Sequence, residues 1–355
     1  MKAEYVIGAL IIAFVAIGLV VLFSAPQSPM AEKPITKARK GIPYTEIVNP
    51  SGFVNTEGIT IGELVGKKIV LVDFLTYSCI NCQRTFPYLN AWYKKYKDVG
   101  LEIIGIHTPE FAFEKDINNV RTAMKQYGIK HPIVLDNDYS TWNAYGNRYW
   151  PRKYLVDIYG DVVYDHIGEG GYEATEKKIR ELLAERAEVL GIEAADAAEE
   201  FAASSVPEVS SAVQSPETYF GSLRNEYLAN GMHGRRGEQT FTLLPNPMRN
   251  ALYLGGVWRI EAEYAESVSN ASVVYRYNAR EVYIVADADA SVEVEVWQDG
   301  VKVESARGAD VRASGMVLVQ ESRLYKLIRN EEAGEHTLEL KVKGKGLRFY
   351  AFTFG

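Results

Sequence analysis

Cys79 and Cys82 are the only cysteines in a chain of 355 residues. A single pair excludes both a disulfide framework and a four-cysteine zinc site. The five histidines, His107, His131, His166, His233 and His336, show no close spacing that would complete a mixed zinc site. A Cys-Ile-Asn-Cys spacing can exchange a disulfide if its first thiol stands where a thiolate is favoured. A helix beginning at Cys79 supplies that: unpaired backbone N–H groups and the positive end of the helix dipole favour the thiolate of Cys79. Cys82, one turn further in, is then the resolving thiol. The alternative for the same two residues is a pair of inert buried cysteines.

A helix placed this way needs a strand ending just before it. Lys68–Leu75 is an apolar run broken by one aspartate, as in a strand buried on both faces of a sheet. Leu101–Ile106, Pro132–Asp136 and Lys153–Asp157 repeat the signal, and a turn at 158–161 leads into Val162–Asp165. Helical segments fall between them at Cys79–Lys97, Glu114–Tyr127, Tyr139–Tyr145 and Glu173–Val189. Strands alternating with helices imply an α/β domain over residues 41–190.

Residues 191–215 are rich in Ala, Ser and acid and read as a linker. Beyond 216 the period becomes two, in Glu281–Val285, Val292–Trp297, Val301–Val303, His336–Val342 and Leu347–Phe354, with Asp299-Gly300 as a hairpin turn. An all-β sandwich over 216–355 follows. Its aromatic residues, Trp258, Tyr275, Tyr277, Tyr283, Trp297 and Tyr350, are mostly core, although any facing outward could stack on a sugar.

At the other end, Val6–Phe23 carries no charge, and residues 5–25 are long enough to span a bilayer. A removable signal peptide is the alternative, but Phe23-Ser24-Ala25 puts a large ring where a cleavage site needs a small side chain, so an uncleaved single-pass anchor is expected over 1–25, followed by a tether over 26–40. Lys33, Lys37, Arg39 and Lys40 would, on a literal charge count, hold the body in the cytoplasm. Long domains translocate largely regardless of such charges. The net charge of −7 argues against a general grip on nucleic acid.

The segment Leu71–Cys82 resembles the active-site segment of thioredoxin-fold oxidoreductases, with Pro87 five residues after Cys82 and Asp73 six before Cys79. The strings YSCINCQRTFPYLNAW, GIHTPEFAFEK, NRYWPRKYLVD and GEGGY are similar to the thioredoxin-like region of DipZ proteins, within the wider TlpA and ResA group. PETYFG, GEHTLEL and YAFTFG extend the likeness into the carbohydrate-binding-module-like domain that follows it in DipZ.

The resemblance implies a thioredoxin fold, a mixed sheet flanked by helices, followed by a jelly-roll-like sandwich. It implies a cis bond before Pro151, with Trp150, Pro151 and Tyr77 meeting the substrate, and a proton-handling carboxylate at Asp73 or Glu110. Arg152 follows where thioredoxins often carry threonine, so substrate contacts should differ there. It implies a thiol-disulfide oxidoreductase acting on protein substrates, with an extracytoplasmic body, against the literal charge count, and a role such as cytochrome c maturation. The redox-active pair is Cys79–Cys82, with no cofactor or metal. DipZ proteins carry a multi-span electron-carrying domain that this chain replaces with one anchor, so a separate membrane donor of CcdA or DipZ type is implied.

Two alternatives stand beside this. Thr76-Tyr-Ser-Cys79 is superficially like the peroxiredoxin Thr-x-x-Cys, although Val72 stands where that motif has proline. The tail could instead make the protein a non-catalytic glycan-binding module.

Overall fold

β3 (Ile69–Leu75) is buried at every residue, the consequence of an apolar run with sheet neighbours on both edges and helices on both faces. It lies at the centre of a seven-stranded sheet in the computed structural model, which describes residues 41–193 and 215–355. The expected anchor and tether over residues 1–40 and the body of the acidic linker at 194–214 lie outside the described residues. Among those described, no helix is long and apolar enough to cross a membrane.

The other strands are β1 (Ile42–Pro43), β2 (Gly52–Val54), β4 (Leu101–His107), β5 (Ile133–Leu135), β6 (Arg152–Val156) and β7 (Asp161–Ile167), in the order β1-β7-β6-β3-β4-β5-β2. β3, β4 and β5 run parallel, whereas β6 is antiparallel to β3, and β7 to β6. The helices are α1 (Ile80–Tyr96), α2 (Ile117–Gln126), α3 (Ser140–Ala144) and α4 (Tyr172–Leu190). α1 runs on through Pro87. α2 begins three residues later than its apolar pattern suggests, because Asp116 caps it by accepting the Asn118 N–H, and a separate 3-10 turn takes Ala112–Lys115.

Period two divides β3 between two apolar layers. Val70, Val72 and Phe74 face one side with Trp142; Leu71 and Leu75 face the other, with Phe86, Leu89 and Trp92 of α1 and Ile179 of α4. Asp73 therefore points to the α1 face. So does Lys153, two residues from Leu155 on β6 and paired in register with Asp73.

The second domain is an antiparallel β-sandwich of β8 (Thr218–Tyr219), β9 (Gly237–Phe241), β10 (Leu252–Ile260), β11 (Ala265–Ala288), β12 (Val292–Gln298), β13 (Val301–Lys302), β14 (Met316–Val319), β15 (Arg323–Val342) and β16 (Leu347–Phe354). β11 and β15 are 24 and 20 residues long and pair with each other across a register break between Ala279 and Glu281. Bulges of this kind bend long strands and let them serve both layers. Trp258, Tyr275 and Tyr277 fill the core between them.

The two domains meet in a third apolar cluster. Ile80 and Phe111 of the first pack with Tyr283, Val285, Leu324 and Tyr350 of the second.

Candidate active site

α1 begins immediately after Cys79, which occupies the N-cap in an extended conformation (φ −74°, ψ 121°) with no side chain capping the turn. Cys79 thus stands at the N-terminus of the helix, the placement the spacing required. Cys79 is partly exposed, and Cys82 is fully buried on the inner face of α1; both are free thiols. Burial pushes the Cys82 thiol well up from its usual range, and hydrogen bonding with Cys79 adds to it; a backbone hydrogen bond from Thr76 acts the other way. The pair is thus asymmetric: one sulfur reachable, the other held as a thiol until a proton acceptor takes its proton.

Asp73 lies below the pair with neither carboxylate oxygen hydrogen-bonded. Desolvation lifts its pKa to about 7, even with the Lys153 ammonium opposing the shift from 3.9 Å away. Lys153 is itself fully buried and driven toward its neutral form by the same desolvation, while Asp73 and Cys82 both draw it back. Asp73, Lys153 and Cys82 form one electrostatically linked group beneath the surface. Sequence reasoning reached Asp73 but missed Lys153. Its available signal was a lone cation opening the apolar strand of residues 153–157, matching the lone acid in 68–75.

Glu110 stands elsewhere. Its carboxylate accepts from Arg224 Nη1 at 2.8 Å and from the Tyr219 hydroxyl at 2.8 Å, both on the second domain. Burial raises its pKa and Arg224 opposes that. Glu110 lines the cleft that holds Cys79, whereas Asp73 reaches the buried thiol from within. The carboxylate that shapes the cysteine loop is a third one, Glu114, fully buried. Its Oε1 accepts from the Thr76 and Ser78 hydroxyls and the Ser78 N–H, and its Oε2 from the N–H groups of Glu110 and Phe111. Burial raises its pKa against all these donors. No signal in the sequence beyond its place three residues into a short turn set it apart.

Of the expected substrate-contacting residues, Trp150 and Pro151 are joined by a cis peptide bond, and Trp150 packs on Trp142 and lines the cleft. Arg152 follows them and pairs with Asp165 at 2.7 Å. Tyr77 is placed differently. It is buried, its ring stacks on His107, and its hydroxyl donates to the Ser322 carbonyl of the second domain at 3.0 Å. That tyrosine fastens the domains together and is absent from the cleft lining, because the second domain covers the face where a substrate would otherwise reach it. His107 is neutral, its pKa lowered to about 3 by burial.

The cleft over Cys79 measures about 620 Å³ and has walls from both domains: Arg84, Arg148 and Trp150 on one side, Glu217, Tyr219 and Phe354 on the other. Arg84 bridges them, binding Glu169 at 3.2 Å and Glu281 of the second domain at 3.3 Å. The sugar-stacking candidates offer little surface. Trp258, Tyr275, Tyr277, Tyr283 and Tyr350 are buried, and the half-buried Trp297 carries the Lys341 ammonium 4.0 Å from its ring centroid.

Residues 49–183 match the Redoxin family, and residues 215–355 match the family described as thioredoxin like C-terminal domain. The chain is 36% identical over 310 residues to the protein DipZ of Mycobacterium bovis and of Mycobacterium tuberculosis, an alignment covering 86% of this chain and 42% of theirs. It spans less than half the length of those relatives. The thiol-disulfide oxidoreductase ResA of Bacillus thuringiensis is 31% identical over 160 residues, covering 45% of this chain and 87% of ResA. The thiol-disulfide oxidoreductase YkuV of Bacillus subtilis is 29% identical over 143 residues, covering 40% and 95%.

Proposed function

The chain belongs to the ResA-type thiol-disulfide oxidoreductases, in the two-domain arrangement shared with DipZ, and from that premise we propose that it reduces disulfides in protein substrates outside the cytoplasm, tethered by residues 5–25. One observation carries the chemistry: a reachable Cys79 at a helix N-terminus, above a buried Cys82 that adjoins a carboxyl group titrating near neutrality.

The Cys79 thiolate attacks a substrate disulfide, forming Cys79–S–S–substrate and releasing the other substrate sulfur as a thiolate. Asp73 then takes the proton of Cys82, whose sulfur attacks Cys79 and frees the second substrate thiol. The Cys79–Cys82 disulfide left behind holds the oxidation removed from the substrate. The reductive direction is supported by the likeness to ResA and by the burial of Cys82, which adds no thiolate stabilisation of its own to the reduced pair beyond that at Cys79. A membrane donor of CcdA or DipZ type would return two electrons per cycle. Haem-binding cysteines of apocytochrome c and oxidised surface proteins fit as substrates.

The test is capture in intact cells. A Cys82→Ser variant should accumulate mixed disulfides through Cys79, and a Cys79→Ser variant none. Absence of adducts from a Cys82→Ser protein whose Cys79 still alkylates would overturn the proposal. Protease shaving of whole cells should remove the domain if it faces outward, and protection would place it inside.

A further inference from the structure

The cleft over Cys79 does not end at its own walls. Glu110, Trp150, Tyr219 and Arg224 also line a second hollow of about 280 Å³, which continues past them to Tyr139 and Leu223. The two hollows are one groove along the domain seam, pinched where Arg224 and Tyr219 of the second domain reach across to Glu110. The Arg224 guanidinium carbon sits over the Tyr219 ring, 3.6 Å from its centroid, so the pinch is a cation–π and ion-paired unit; at 40% exposure the guanidinium is still open to a ligand.

Large apolar side chains stand exposed along the groove. Tyr149 is 50% exposed in the Cys79 hollow and Leu223 67% exposed in the far one. A small disulfide reaching Cys79 would touch Tyr149 at most. Only a longer ligand can cover apolar groups at both ends of the groove.

Resting on the disulfide-exchange reading above, we propose that the second domain is half of the substrate site. The groove takes an extended polypeptide segment whose cysteine sits over Cys79 and whose flanking residues run past the Arg224–Tyr219 pinch to Leu223. An extended segment advances about 3.3 Å per residue and can present alternate side chains to the two walls. The substrate class is therefore unfolded or loosely held cysteine-bearing chain. A disulfide on a flat folded surface could not descend between the domains.

The test uses the reduced full chain and two mixed disulfides of thionitrobenzoate, one with free cysteine and one with a nine-residue peptide carrying a central cysteine. In each, Cys79 attacks the peptide or cysteine sulfur and expels coloured thionitrobenzoate; Cys82 then releases the thiol. Each reduced chain reacts once, ending as the Cys79–Cys82 disulfide, and the peptide should show at least a tenfold higher second-order rate constant for thionitrobenzoate release. Thr353→Trp, which fills the Cys79 hollow from the second-domain wall, and Leu223→Asp, which charges the far end, should each cut the peptide-to-cysteine ratio at least fivefold. Met248→Ser, at an exposed position of the second domain outside the groove, should change neither rate. Equal rates for both substrates, or a ratio unmoved by Thr353→Trp and Leu223→Asp in protein that melts like the wild type, would overturn the inference. Failure of the wild type with both substrates would strike at disulfide exchange itself.

Discussion

Burial costs the Asp73 carboxylate more than the nearby Lys153 ammonium returns to it, and a side chain that would otherwise be ionised at pH 5 keeps its proton to about pH 7. That suits a base that must accept from a thiol and later give the proton back. Asp73→Asn should leave the first attack by Cys79 intact and slow resolution about a hundredfold, the usual scale of general-base catalysis. Rapid-quench trapping of the mixed disulfide would show it accumulating. Lys153→Met removes the attraction that opposes desolvation of Asp73, so the pH midpoint of the resolving step should move upward; a midpoint shifted down or unmoved would take Lys153 out of that linked group. The same shift bears on stability. Because the folded state holds a proton on Asp73 that the unfolded chain loses near pH 4, this group's contribution is full at low pH and disappears as pH rises through about 7. Denaturant midpoints at pH 5 and pH 8 should therefore differ less in Asp73→Asn than in the wild type.

The turn before α1 is held by one carboxylate, because Glu114 gathers donors from both Thr76–Ser78 and Glu110–Phe111. Both its oxygens only accept. A glutamine there must aim its NH₂ at groups that are themselves donors, so Glu114→Gln should lower stability by about 2–4 kcal/mol in denaturant titration and blunt exchange by loosening Cys79. Such a hub could not be read from the sequence, since its partners lie 36 and 38 residues upstream in chain order and meet it only after β3 and β4 pair. What was legible is local. The apolar runs at 69–75 and 101–107, the helix opening at Cys79 and the cis Trp150–Pro151 bond all show in short windows or in family likeness. The long strands β11 and β15 show only as fragments, at 281–285 and 336–342, because charged residues and the bulge near Ala279 interrupt their alternation. The Asp73–Lys153 pairing depends on an antiparallel register between segments 80 residues apart, which no periodicity carries.

Ile80, the first of the two residues inside the Cys-x-x-Cys spacing, is 5% exposed because it sits in an apolar cluster with Tyr283, Val285, Leu324 and Tyr350 of the second domain. The residue next to the nucleophile is thus core for both domains, and Tyr77, Arg84, Phe111 and Glu110 tie into the second domain around it. Two domains joined only by a linker would unfold independently, whereas domains sharing a buried core should unfold together. Tyr350 tests which holds. Its ring meets Phe111 and Phe113 edge-on at 5.1 and 4.9 Å, and its hydroxyl lies 3.2 Å from the Asp287 carboxylate that also binds Arg348. The wild type should melt in one calorimetric transition. Tyr350→Ala should cost about 3–5 kcal/mol, the range for emptying a buried aromatic site, and split the transition in two as the domains lose their common core. It should also slow disulfide exchange, because the wall opposite Cys79 is then no longer fixed. Two transitions in the wild type, or an exchange rate unaffected by Tyr350→Ala, would mean that the second domain merely rides beside the redox centre.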